Sequence, residues 1–182
     1  YKRQVHSSPL TRPFITAARR TDHVEYVVVT LELRGDDGEV SVGQGSAAET
    51  VKVTGESAAT IVEAVHGPLA KALQGADGDL STLASSIGDA LSGATSAKAA
   101  ADVALHDAVA RSRGVSMGEL LAALPQFGPW EALDLGAGIA NDMTVSLDDP
   151  RVMADRARDA AATGVRILKI KLGNDPEQDR RR

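Results

Sequence analysis

The chain has 182 residues, 43% hydrophobic and 25% charged, with no cysteine and a formal net charge of -5 from 20 Lys and Arg against 25 Asp and Glu. This is the profile of a soluble globular protein. It excludes disulfides, thiolate metal sites and a cysteine nucleophile, and it agrees with a cytoplasmic location. The acidic balance argues against nucleic acid, whose phosphates want a basic face, and no apolar run reaches the roughly 18–20 residues that cross a bilayer.

Tyr1 to Pro9 is polar and holds no apolar signal segment; without an initiator Met, the chain is expected to be trimmed. Aromatic residues make up 3%, so the core must be built from Val, Leu, Ile and alanine. The first third reads as strand. A short strand is weakly signalled around Arg3 to Ser8, and Pro13 to Thr21 reads as a loop. Val24 to Leu33 is rich in β-branched residues and alternates in its second half. Asp37-Gly38 then predicts a hairpin, because Gly and Asp tolerate positive φ. Val40 and Val42 mark the returning strand.

The middle third reads as helices. Ser57 caps one with apolar positions Ile61, Val62, Val65, Leu69 and Leu73. After a turn over Gly75 to Asp79, Leu80, Leu83, Ala84, Ile87 and Leu91 give a second, ending at Gly93. The third is alanine-rich, capped by Thr95 or Ser96, with Arg111 and Arg113 near its end at Gly114. A short helix over Met117 to Leu124 stops at Pro125.

Pro125 to Trp130, with Gly136 and Gly138 beyond, reads as a linker in which Trp130 packs against its neighbours. It divides a domain over 1–124 from one over 125–182. In the latter, Asp142 to Leu147 is a strand and Pro150 opens a helix at its first position. Val165 to Leu172 is a second strand, and Gly173 to Pro176 can open another helix. A β-α-β order implies parallel strands joined by a right-handed crossover. Two such strands cannot bury both faces, so the segment reads as the start of a larger sheet whose open edge favours association, and a homo-oligomer is expected.

The sharpest chemical feature is Lys169-Ile170-Lys171. On a strand both lysines share one face with Ile167, while Leu168, Ile170 and Leu172 take the other. On an inner face, two neighbouring ammonium groups disfavour each other's charge and bring a lysine towards general-base range. On an edge strand they only deter aggregation. Both readings stand on these residues alone. Gly43-Gln44-Gly45-Ser46-Ala47-Ala48 fits G-x-G-x-x-A but lacks the strand-to-helix context, which leaves a tight bend. Arg19-Arg20 is either a carboxylate clamp or a solvated pair. His6, His23, His66 and His106 have no metal-ligand spacing. Asp102 and Asp107 read as structural.

Four stretches carry a family resemblance: PLTRPFITAARRT (Pro9–Thr21), VTGES (Val53–Ser57), the helix Ser96–Leu121, and DMTVSLDDP with ILKIKLG between Asp142 and Gly173. Together they resemble the mandelate racemase/muconate lactonizing group of the enolase superfamily, most closely the dipeptide (L-Ala-D/L-Glu) epimerases. The resemblance implies an α+β capping domain over a (β/α) barrel of the TIM type, with the active site between them. Only the first βα units of that barrel fall in this sequence, since a barrel takes roughly 250 residues. The implied reaction is a 1,1-proton transfer α to a carboxylate, assisted by Mg2+; a lysine base with Mg2+ is the general scheme of such sites. The implied acidic Mg2+ ligands and a second catalytic lysine are not in this sequence.

By the same resemblance Lys171 is the acid/base on one face, with Lys169 beside it, which favours the inner-face reading. Arg19 is expected near the substrate's distal carboxylate, Thr144 on the first barrel strand, and Val53 in a specificity loop. The implied partner is a small molecule, a dipeptide or other carboxylate. Gln44, Arg20 and Ala122-Ala123 depart from the family pattern, and Arg20 either favours more acidic substrates or faces solvent. The alternatives are another superfamily reaction (cycloisomerase, acylamino-acid racemase, acid-sugar dehydratase) or a non-catalytic α+β module.

Overall fold

The computed structural model describes residues 5–125, 138, 140–173 and 175–181. Trp130 and most of the expected linker lie outside the described residues. The chain divides into two compact units, residues 1–7 with 25–133 and residues 8–24 with 134–182.

Three strands, β1 (Val5–Ile15), β2 (Arg20–Arg34) and β3 (Val40–Ala48), form one sheet in the order β1-β2-β3. β1 is longer than the short strand expected, and the loop read over Pro13 to Thr21 shrinks to four residues. Pro9 and Pro13 are tolerated because β1 is an edge strand, where a missing N–H costs no ladder bond. β2 and β3 pair antiparallel from Tyr26↔Ala48 to Arg34↔Val40. Gly38 closes their turn at φ 84°, donating its N–H to the Gly35 carbonyl (2.9 Å).

In the first unit, Val27 and Val29 are buried opposite Ala47 and Gly45. Val40 and Val42 lie on the returning strand as expected and are exposed, because this register turns the Gly43, Gly45 and Ala47 row inward. Helices follow among the described residues: α1 (Val51–Thr54), α2 (Ala58–Ala64), α3 (Ala70–Leu73), α4 (Leu80–Asp89), α5 (Thr95–Ser112) and α6 (Met117–Ala122). Between α2 and α3 runs a π-helical turn (Val65–Leu69) that contains Pro68. Proline lacks the N–H an α-helical ladder needs there, and a widened turn absorbs the gap.

Ser57 caps α2 in a reciprocal box with Thr60, and Ser116 caps α6 with Glu119. Asp79 caps α4, which ends at Asp89 rather than near Gly93. α5 is the centre of the unit: Ala97, Ala100, Ala104 and Ala108 are fully buried. They lie on β3, where the inward glycines leave room for a helix backbone. A Cβ on Gly43 would overlap the Ala104 carbonyl and the Ala108 amide; one on Gly45 would overlap the Ala100 carbonyl. The G-x-G stretch is therefore neither a dinucleotide loop nor a tight bend but a straight strand cut away for α5.

The second unit contains β4 (Asp142–Val145), α7 (Pro150–Ala162), β5 (Ile167–Ile170) and α8 (Pro176–Asp179). β4 and β5 pair in parallel, Thr144 opposite Lys169. Both strands are shorter than read, so Lys171 lies just past β5. Asp149 caps α7, with Pro150 in its first turn. Val145 on β4 and Met153 and Ala160 on α7 are buried. Among the described residues no helix is long and apolar enough to cross a membrane.

Candidate functional site

Four of the five expected site residues lie in the second unit. Its hairpin tip is the turn Thr16-Ala17-Ala18-Arg19 between β1 and β2. Thr16 organises it: its N–H donates to the Arg19 carbonyl (2.9 Å), and its hydroxyl oxygen accepts from the Ala18 and Arg19 amides (3.3 and 3.2 Å). A hydroxyl that copies a backbone turn in this way holds the loop with no glycine. The half-buried Arg19 side chain leaves from this braced turn, and among the described residues nothing hydrogen-bonds or ion-pairs with its guanidinium. Arg20 differs: it is bound to Asp22 (2.9 Å) and exposed. Asp22 stabilises its charged form, chiefly through their hydrogen bond.

Lys169 lies on β5 and Lys171 just past its C-terminal end. The Lys171 amide donates to the Val145 carbonyl (3.1 Å), so the strand pairing continues to Lys171. Thr144 faces Lys169 across the parallel ladder, and paired residues share a face of the sheet. The hairpin tip and the strand ends meet within this unit. The Leu147 amide donates to the Ile15 carbonyl (3.0 Å), and the Lys171 ammonium stands 5.7 Å from the centroid of the Phe14 ring. That distance is within cation–π range. Phe14 was not singled out by the sequence reasoning, which had no local signal linking it to a lysine so far along the chain.

Val53 belongs to the first unit. The segment read there as a loop contains the one-turn helix α1, ended by Gly55 in the left-handed region at φ 77°. Val53 is 73% exposed. The same segment holds a residue the sequence reasoning missed, Glu56, whose side chain is buried. Its carboxylate accepts from the Ser96 amide (2.9 Å), the Ala97 amide (3.2 Å) and the Thr95 hydroxyl (3.3 Å). Thr95 and Ser96 therefore do not cap α5: the helix starts at Thr95, Ala94 before it has φ 49°, and the free amides are met by Glu56. Burial pushes the Glu56 carboxyl up, but these bonds outweigh it and the net shift is downward.

The remaining candidates are engaged locally. Asp107 accepts the Gln44 amide (2.9 Å) and pairs with Arg111 (3.0 Å), and the Gln44 bond leads in lowering its carboxyl against the opposing effect of burial. The His106 ring nitrogen Nδ1 lies 2.9 Å from the Asp102 carbonyl and 3.5 Å from its carboxylate. No group of three or more histidines and carboxylates is placed to hold a metal among the described residues. The described residues thus do not fit a Mg2+ site of their own.

Residues 2–122 match the family model of the mandelate racemase / muconate lactonizing enzyme N-terminal domain. The L-Ala-D/L-Glu epimerase of Clostridium acetobutylicum is 33% identical over 177 residues, 97% of this chain and 45% of that protein. Among solved structures, a substrate-liganded complex of the L-Ala-D/L-Glu epimerase from Bacillus subtilis superposes with a TM-score of 0.79 at 31% identity, covering 98% of this chain and 46% of that one. The dipeptide epimerase from Methylococcus capsulatus, complexed with Mg and L-Arg-D-Lys, gives 0.77 at 30% identity, covering 99% and 47%. The chain thus spans about 45% of the length of the curated relatives it matches.

Proposed function

Because the chain belongs to the mandelate racemase / muconate lactonizing enzyme family, we propose that the protein is a dipeptide epimerase that moves a proton at the carbon α to a carboxylate. The observation that carries this reading is the meeting, within one unit, of the arginine-bearing turn and the lysine-bearing strand end through Phe14 and Ile15. The likeness to dipeptide epimerases at 33–35% identity supports the substrate class. In this proposal residues 1–124 form a capping domain and 125–182 begin a barrel.

Lys171 exchanges the substrate's α-proton on one face, from the C-terminal end of a parallel strand, where barrel enzymes hold their reacting groups. Lys169 and Thr144 share the face next to it. Arg19 pairs with the distal carboxylate through its planar fork of donors, a geometry lysine does not offer. Val53 lines the substrate's side-chain subsite. Mg2+ belongs to this proposal as the group that would stabilise the charge developing on the substrate's carboxylate; the described residues do not supply its ligands.

The test is α-proton exchange in deuterated water by the intact protein, with Mg2+ and a panel of dipeptides. Exchange is expected with at least one dipeptide and is expected to fall by about 10²–10⁴ in Lys171→Ala, the usual worth of a positioned acid/base. Absence of exchange across the panel, or an unchanged rate in Lys171→Ala, refutes the proposal. Turnover confined to N-acylamino acids or muconate-like substrates would instead favour another reaction of the superfamily.

A further inference from the structure

The α1 segment is tied at its base to a helix forty residues away. Glu56 supplies both parts of the tie. Its backbone closes the segment: the Thr50 amide donates to the Glu56 carbonyl (3.1 Å), and the Glu56 amide donates to the Thr54 hydroxyl (3.4 Å). Its buried carboxylate meets the first amides of α5 through both oxygens. A second thread runs alongside, where the Ser96 hydroxyl reaches the Thr54 hydroxyl (3.3 Å), itself 2.9 Å from that of Thr50. On the other flank, Glu49 accepts the Ala58 amide (2.9 Å) at the start of α2. Carboxylates thus hold the segment at both ends, while Val51 and Val53 between them are 53% and 73% exposed.

We propose that Glu56 is a positioning residue: by capping α5 it fixes the one-turn helix Val51–Thr54, and with it the side chain of Val53, relative to the core of its own unit. An exposed one-turn helix has no stability of its own, since a single turn costs more backbone freedom than its bonds return. Its order must come from the anchor at its base. The consequence for substrate choice rests on reading Val53 as a substrate contact, as proposed above.

The experiment pairs hydrogen exchange with kinetics on the intact protein. In Glu56→Ala, amide exchange over residues 50–55 should rise about tenfold or more, the loss expected of a charge-assisted cap, while the Thr16–Arg19 turn keeps the parent's rate. KM for dipeptides should rise with kcat nearly unchanged. Val53→Ala should shift KM without changing exchange at 50–55. Faster exchange confined to residues 95–97 would overturn the proposal, since Glu56 would then serve α5 alone. Faster exchange at 50–55 with parent KM in both variants would uphold the positioning role and refute the reading of Val53. Glu56→Gln keeps the shape but turns one acceptor into a donor facing a backbone amide. It serves where Glu56→Ala does not fold, should show the same pattern at smaller amplitude, and overturns the proposal with parent-like exchange.

Discussion

Replacing Gly45 by alanine tests the packing on which the first unit depends. The new Cβ would overlap the Ala100 carbonyl and lie 2.9 Å from the Ala104 amide nitrogen, where contacts below 3.0 Å are essentially never seen. Both obstacles are helix backbone, so α5 has to retreat by about 1 Å. Ala97, Ala100, Ala101, Ala104 and Ala108 are no more than 2% exposed on this face. With about ten heavy-atom contacts each at roughly 0.15 kcal/mol, these alanines hold about 7 kcal/mol of dispersion, and the retreat forfeits a quarter to a half of it. The loss is about 2–4 kcal/mol, offset by up to about 1 kcal/mol from the stiffer unfolded chain. Gly88 is the control: it is exposed on α4 and an added Cβ meets nothing within 4 Å. Gly88→Ala should stabilise by roughly 0.5–1 kcal/mol. Urea unfolding followed by far-ultraviolet circular dichroism should show the two midpoints moving in opposite directions at unchanged slope. A Gly45→Ala protein as stable as the parent would refute the close approach of α5 to β3.

Glu56 has its carboxyl lowered in the folded state, so its charge stabilises the fold above the unfolded value of about 4.3, and that contribution drains as pH falls through the lower folded value. Stability measured from pH 6 downwards should fall more steeply in the parent than in Glu56→Gln; parallel curves would contradict the assignment. Ala94 holds φ 49° just before α5, a conformation that costs an L-residue roughly 1–2 kcal/mol, so Ala94→Gly should stabilise the fold by about 1 kcal/mol or less, seen as a raised urea midpoint, and a lowered midpoint would count against it. Arg19→Ala in the intact protein should cut kcat/KM about 10- to 100-fold for dipeptides with a distal carboxylate, the worth of a charged hydrogen-bond pair, and leave neutral dipeptides near the parent value. Equal losses on both classes would remove Arg19 from carboxylate recognition.

Features specified by a few adjacent residues were legible in the sequence. Asp37-Gly38 set the hairpin, Ser57 capped its helix, and Asp149-Pro150 opened α7, because turns and caps are satisfied by groups within a few residues of one another. The β-α-β order and the parallel pairing followed from the alternation of strand and helix. The lysine pair and the Thr16–Arg19 stretch were visible as a pattern, and the residues around them carried the likeness to a family.

Only the tertiary structure decided the rest. β1 runs on through two prolines because its place at the sheet edge removes their penalty, and a residue cannot announce which strand lies beside it. The inward row of β3 is glycine and alanine, because α5 needs its backbone close to the sheet. Glu56 caps a helix whose own first residues looked sufficient, and Phe14 lies against Lys171. Each of these depends on two groups brought together from distant parts of the chain, and neither carries in its own neighbours a trace of the other. Local chemistry thus wrote the elements, and the packing of α5, β3 and the strand ends decided which side chains work together.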